Sequence, residues 1–453
     1  MKKIFFLLAT ATVLLNACKD KTTTEPDPVE ETTLTGSISE NRTLKSGNTY
    51  TLKGFVYVKN GATLTIEPGV TILGEKASKG TLIVTRNGKI NAEGTNTNPI
   101  VFTSDQADGS KNIGDWGGVI LLGKATNNGS YNGTSGLMEI EGGVNNTDGD
   151  GLHGGTDDND NTGTLKYVRI EFAGIAFQPN SEINGLTCGS VGRGTTLEYI
   201  QVSYCGDDAF EFFGGTVNCK YLVSYRNTDD DIDTDFGYRG NIQFAIVARD
   251  PALADEATGG ASNGFESDND ASGSSNAPFT SPVLSNITII GPKQVTTTTV
   301  AAPYKRGNHI RRNSRLSLFN SVIMGWPTGL LIDGSTTSAN ATNNDLKYAK
   351  NTVAGWSSKA IDTASAGGSG IAPYTWYLAT NDTLTNNTQV GITNAFDLLN
   401  FNPCPTASSP LITVPASFTD GKLNNAFFTA VTYRGACATN ATWYKNWTKF
   451  FNK

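Results

Sequence analysis

The stretch from Cys205 to Asp235, CGDDAFEFFGGTVNCKYLVSYRNTDDDIDTD, constrains the fold of this chain more than any other. Asp207 and Asp208 return as Asp229 and Asp230. At the same interval Phe210 returns as Ile232, and Glu211 returns as Asp233. A repeat that keeps apolar and acidic positions at one interval is the mark of stacked coils. Equivalent residues of stacked parallel strands lie about 4.8 Å apart. The carboxylates are therefore expected to form columns on one face. Two bare carboxylates at that distance repel, so one takes up a proton or a cation sits between them.

The N-terminal part carries the clearest register. Val56 and Val58 match Leu82 and Val84, and at the same spacing Leu64 and Ile66 match Ile90 and Ala92. Val70 and Ile72 match Ile100 and Phe102 at a slightly longer spacing. Each unit thus holds three short alternating strands bounded by Gly, Asn or Pro turns. Three strands per turn, repeated, predict an all-β right-handed parallel β-helix. Leu165–Ile170 returns as Leu197–Val202, then as Cys219–Leu222 and Ile242–Phe244, and 287–290 and 316–324 read as late coils. Between the coils, residues 127–163, 250–282, 294–306 and 335–344 are polar and hold no period, so they read as loops leaving the helix. From about Pro373 the aromatic residues Trp376, Phe396, Trp443 and Trp447 lack coil spacing. An open β-helix end templates aggregation, so the expected layout is a β-helix over 34–372 and a C-terminal cap over 373–453.

The segment before Leu34 is of another kind. Lys2 and Lys3 precede an apolar run, Ile4 to Leu15, that is too short to span a bilayer. Leu15-Asn16-Ala17-Cys18 resembles a bacterial lipobox, in which removal of residues 1–17 leaves Cys18 as a lipidated N-terminus. Lys19-Asp20-Lys21 partly resembles the export signal of surface lipoproteins, and residues 18–33 read as a flexible tether. The expectation is an outer-membrane lipoprotein that faces outward and touches the membrane through its lipid alone.

The net charge of −7 argues against a nucleic-acid partner. Beyond Cys18 the cysteines are Cys188, Cys205, Cys219, Cys404 and Cys437, without the CxxC spacing of a zinc site. Outside the cytoplasm disulfides are permitted, and Cys404 with Cys437 is the expected pair. Pairing among the other three stays open.

Several blocks resemble pectin-lyase-like β-helix proteins found among bacterial outer-membrane lipoproteins. GATLTIEPGVTILG (61–74) and GTLIVTRNGKINAEGTNTNPIVFTS (80–104) are similar to their first coils. DDAFEFFGGTVNCKYLV (207–223), FGYRGNIQFAIV (236–247), VTYRGAC (431–437) and TWYKNWTKF (442–450) are similar to later blocks. The resemblance covers 34–453 and implies the fold and the surface-lipoprotein class. It carries no assigned reaction.

The acids of the central stretch are the candidate site. Asp207, Asp208, Glu211, Asp229, Asp230, Asp231 and Asp233 offer hard oxygen ligands at stacked positions, which suits Ca²⁺. The alternative is that these acids cap backbone N–H groups in coil turns. Paired acids also suit glycoside cleavage. Asn227–Asp233 distantly resembles the Asn-Thr-Asp-Gly-x-Asp stretch of polygalacturonases, but departs from it at Asp230 and Ile232. The nearest echo of their later motifs is Gly307-Asn308-His309-Ile310-Arg311-Arg312, with neither motif intact. Pectate lyases of this fold use calcium and an arginine base. Arg239, Arg311 and Arg312 are candidates, and no motif selects one. His153 and His309 read as surface or hydrogen-bonded residues, and Trp116, Trp326 and Trp356 as core fillers ahead of sugar platforms. The leading expectation is binding of a glycan or an outer-membrane protein partner in an uptake or adhesion assembly. The rivals are a calcium-dependent polysaccharide lyase or glycoside hydrolase, and a structural surface protein.

Overall fold

Strands such as Thr63–Ile66 and Lys89–Glu93 alternate outward threonine, lysine or glutamate with fully buried Leu64, Ile66, Ile90 and Ala92. A period of two gives each strand one wet and one dry face, and a coil of three such strands encloses a core. The computed structural model describes residues 1, 31–178, 181–256, 260–362 and 373–452. Cys18, the lipobox and the signal segment lie outside the described residues. Residues 32–453 form one unit, in which 26 strands join in one continuous parallel sheet. The expected right-handed parallel β-helix is observed.

Each coil presents three strips. The first runs through Thr81–Val84, Val119–Leu122, Leu186–Gly189, Phe210–Phe213, Ile232–Asp235, Phe265–Ser267, Arg306–Ile310 and Thr328–Ile332. The second and third are joined through one residue at a sharp corner, as in the long strands Gly163–Glu171, Thr196–Ser203 and Asn218–Tyr225. That corner residue is left-handed in coil after coil: Tyr167, Tyr199, Tyr221, Phe244, Asn286 and Asn320 have φ of 51°, 54°, 62°, 63°, 59° and 54°. A left-handed non-glycine residue costs about 1–2 kcal/mol. The corner offsets this by stacking. Tyr167, Tyr199, Tyr221 and Phe244 lie ring over ring with centroids 4.4, 4.4 and 5.2 Å apart, and such pairs contribute about 0.5–1.5 kcal/mol each. Trp116 and Trp326 are fully buried and fill the core as expected, and half-buried Trp356 packs against it.

The C-terminal segment is not confined to the end of the helix. The helix Pro373–Leu378 does close the last coil, with buried Tyr377 lying 5.7 Å from Tyr348. The solenoid continues beyond 372, because Asp382–Leu384 adds a parallel strand to Thr352–Ala354. From there the chain runs back lengthwise as a strap along the aromatic corner. Ser417 N–H donates to Asn320 Oδ1 (2.8 Å), Asn286 Nδ2 to Tyr433 O (2.9 Å), Gln243 Nε2 to Thr429 O (2.8 Å), and Gln201 Nε2 to Lys449 O (2.9 Å). Asn96 Nδ2 donates to Lys445 O at 3.0 Å, so the strap reaches an early coil. Trp447 stands edge-on to Tyr167 and Tyr199 at 6.0 Å each, and Trp443 tilts over Tyr221 at 5.2 Å. The strap's aromatics lack coil spacing because they cross the coils instead of belonging to them.

The expected Cys404–Cys437 bridge is not formed in the structure. Both are buried free thiols, in side-chain hydrogen-bond contact within the apolar cluster that the strap shares with the solenoid. The contact with Cys437 is the main reason that the Cys404 thiol is lowered to about 6. Cys188, Cys205 and Cys219 are buried free thiols within the solenoid.

If the strap belongs to the cooperative unit, Trp447→Ala should destabilise the protein by about 3–5 kcal/mol, the usual loss for a buried tryptophan. Denaturant unfolding of the variant measures this. A loss under about 1 kcal/mol would mean that the strap docks on an already stable helix.

Candidate functional site: the acidic face

Register builds the site. Phe210, Ile232 and Phe265 occupy equivalent places on adjacent coils and point into the core, each 0–1% exposed. The next residue on each strand must then point outward. This stacks Thr187, Glu211, Asp233, Glu266 and His309 in one column. A second column forms in the turn before each strand. Asp230 N–H donates to Asp208 Oδ1 at 2.8 Å, and Asn263 N–H donates in the same way to Asp230 Oδ1. The turn-capping role expected as an alternative is therefore present at Asp208 and Asp230, each capping the next coil.

The two columns converge. Carboxylate oxygens of Asp207, Asp208 and Asp229 lie within 4.8 Å of one another. The same holds for Asp208, Glu211 and Asp233, and for Asp230, Asp233 and Glu266. Asp208 joins the first group to the second and Asp233 joins the second to the third, so the three form one chain of carboxylates along the face. Asp208, Glu211 and Asp230 are only 7, 7 and 4% exposed, whereas Asp207 and Asp229 are half-buried at the rim. Glu141 joins from the excursion that follows Leu122. Asn184 Nδ2 donates to its Oε1 at 2.8 Å and also to Glu211 Oε2, while Asn184 Oδ1 accepts from Asp208 N–H at 3.2 Å.

Burial, and after it the charges of neighbouring acids, pushes Asp207, Asp208, Glu211, Asp229 and Asp233 well above the usual carboxylate range. Asp230 is raised to about 8, by burial first and by Glu266 second. No basic side chain forms an ion pair with any of these six among the described residues. The far end of the face differs. Arg311 pairs with Glu266 and with Asp268 (Nε to Oδ1, 2.8 Å), and Arg312 pairs with Asp268 at 2.7 Å. His309 Nδ1 lies 2.9 Å from Glu266 Oε2, and its Nε2 lies 3.1 Å from Asp333 Oδ2. Burial opposes charge on His309, but the bonds to Asp333 and Glu266 outweigh it and raise its pKa.

A divalent cation fits the uncompensated end. The donors are hard carboxylate oxygens in overlapping sets of three, the type that calcium takes. Asp233 Oδ1 is buried without a hydrogen-bond partner, and Asp233 is common to two of the sets. A buried anionic oxygen in that condition carries an unmet desolvation cost.

Of the acids expected as ligands, Asp231 does not join the others. It is fully buried and pairs with fully buried Arg249, Oδ1 to Nη1 at 3.2 Å, and accepts a hydrogen bond from Ser224. The reason is register. Asp231 stands where adjacent coils have Ala209 and Gly264, a place that turns inward. Burial raises its pKa to about 6 against the opposing pull of Arg249. Arg249 also donates to Thr228 O (2.8 Å) and Asp229 O (2.5 Å), fixing the turn that carries the ladder. Of the arginines considered as bases, Arg311 and Arg312 reach this face. Arg239 is elsewhere, bound to Asp158 and Thr126. His153 is buried against the Ser190 hydroxyl, and burial lowers it to about 3, so it is neutral. Glu141, Asn263, Glu266 and Asp268 escaped the sequence reading. A signal existed for three of them, since Asn263-Gly264-Phe265-Glu266-Ser267-Asp268 repeats Asp230-Asp231-Ile232-Asp233-Thr234-Asp235 one coil further on.

Residues 36–397 match the family described as the pectate-lyase-like β-helix domain. No curated protein matches the chain.

The raised pKa values carry a sign. Between the ordinary aspartate value of 3.8 and about 8 for Asp230, the folded protein holds protons that the unfolded chain has released. Stability then falls as pH rises through that interval. Thermal melts in chelator should show the melting point dropping from about pH 4 to about pH 8, and excess calcium should remove the drop. A melting point in chelator that stays level or rises over that interval would contradict the placement of these groups.

Proposed function

The chain belongs to the pectate-lyase-like β-helix family, and on that footing we propose that it is a divalent-cation-dependent binder of an acidic glycan, held at the outer surface of the outer membrane by a lipid on Cys18. One observation carries the reading: three carboxylate sets are linked in a row, the first two by Asp208 and the last two by Asp233, with one buried oxygen of Asp233 left without a partner. A protein of net charge −7 repels a polyanion. A calcium ion on this face offsets two of its negative charges and offers a direct bond to an anionic oxygen, and calcium accepts about six to eight oxygens. Positions that the protein does not fill are open to a uronate carboxylate from the solvent side, where Asp207 and Asp229 form the rim.

Binding is favoured over cleavage for two reasons. Asp208, Glu211 and Asp230 are nearly sealed, open to a small cation and closed to a glycosidic oxygen of a polymer. Arg311, which pairs with Glu266 of the outward column, is held above its ordinary pKa by Asp268 and Glu266 in spite of burial. A group that is so firmly protonated is a poor proton acceptor.

Cys18→Ser should move the protein from the membrane fraction to the soluble one, because the lipid would be its anchor. Retention on membranes after a salt wash would refute that part of the reading. For the ligand, affinity electrophoresis with polygalacturonate should retard the protein in calcium and not in chelator, without new unsaturated ends. Asp208→Asn with Asp233→Asn should abolish the retardation. Retardation that survives the chelator unchanged would remove the cation from the account, and unsaturated ends would make the protein a lyase.

A further inference from the structure

We infer that a second cleft, built from different residues and independent of any metal, binds the anionic group of an acidic saccharide. The cleft has a volume of about 600 Å³ and lies between the turn Thr85–Gly88 and the base of the long excursion after Leu122. That size falls within the roughly 300–1,000 Å³ of small-ligand sites. Three cations line it: Arg86, Lys89 and Lys124. Among the described residues none of the three forms an ion pair. Arg86 gives one long bond, Nη1 to Gly154 O at 3.3 Å.

Two acids, Asp157 and Asp160, also line the cleft, and both accept backbone N–H groups. Asp160 Oδ2 accepts the backbone N–H of Lys124 at 3.1 Å, and Asp157 Oδ1 accepts that of Asn159 at 3.0 Å. Asp158, between them in sequence, is taken by Arg239 and Thr126. The loop thus uses its carboxylates to hold its own backbone, and three cations outnumber the two carboxylates of the lining. In a chain of net charge −7, a local surplus of cations around one opening is not the product of an excess of basic residues.

The rest of the lining selects the ligand class. Asn60, Asn87 and Asn161 bring carboxamides, which donate to and accept from hydroxyl groups. Among the described residues no aromatic side chain lines the cleft, so a neutral sugar finds no ring there to stack on. Charge and hydroxyl recognition together fit a sugar carrying a carboxylate or a sulfate. The inference takes from the preceding reading only the ligand class, since the acidic face contributes none of these residues.

The test is calorimetric titration of the mature protein in chelator with oligogalacturonate, a sulfated oligosaccharide, a neutral oligosaccharide and inorganic sulfate. The two acidic oligosaccharides should bind and the neutral one should not. Arg86→Gln with Lys124→Gln should weaken binding at least tenfold, and Lys89→Gln, at an exposed position, should weaken it several-fold with no change in melting point. Asp208→Asn with Asp233→Asn should leave this binding intact, which separates its failure from that of the metal site. Absence of binding in chelator, or binding unchanged in both cleft variants, would overturn the inference. Inorganic sulfate binding as tightly as the oligosaccharides would overturn the saccharide assignment.

Discussion

Parallel stacking at about 4.8 Å per coil puts like residue over like residue, and the rest of this structure is an answer to that constraint. Where the repeated residue is apolar, the stack is the core. Where it is aromatic, as at Tyr167, Tyr199 and Tyr221, it supports a corner that left-handed backbone would otherwise disfavour. Where it is acidic the stack opposes itself. Two unit charges at that spacing repel by roughly 3 kcal/mol at an effective dielectric of about 20, which is large beside the roughly 5–15 kcal/mol that separates folded from unfolded domains.

The protein answers the acidic stack in three ways along one stretch of helix. Asp231 is turned inward and neutralised by Arg249, a pair whose desolvation is met by further hydrogen bonds to Ser224, Thr228 and Asp229. Glu266 and Asp268 are matched from the next coil by Arg311, Arg312 and His309. Asp207, Asp208, Glu211, Asp229, Asp230 and Asp233 have neither remedy among the described residues. A site where the sequence obeys the fold but leaves charge uncompensated is where function is expected.

The coils were legible where nothing interrupts the interval. Phe210 over Ile232 and Glu211 over Asp233 could be read because a single plain coil separates them. Phe265 and Glu266 continue the same columns, but after a longer interval and among polar residues, so the strand is hidden inside what reads as a loop. Asp231 sits in a run of three aspartates, and its inward turn depends on an arginine one coil away that no local pattern announces. The course of the C-terminal strap was not legible, because each of its contacts answers a different coil. Glu141 reaches the face only after an excursion folds back, a tertiary event without a period.

The central claim is that the uncompensated carboxylates hold a cation in place of shared protons. Crystals of the protein soaked with a lanthanide or strontium at neutral pH, examined by anomalous diffraction, test it most directly. The account predicts a peak among Asp208, Glu211 and Asp233, with carboxylate oxygens at about 2.3–2.6 Å as for calcium. A face without a peak, with its carboxyl groups hydrogen-bonded to one another, would contradict it.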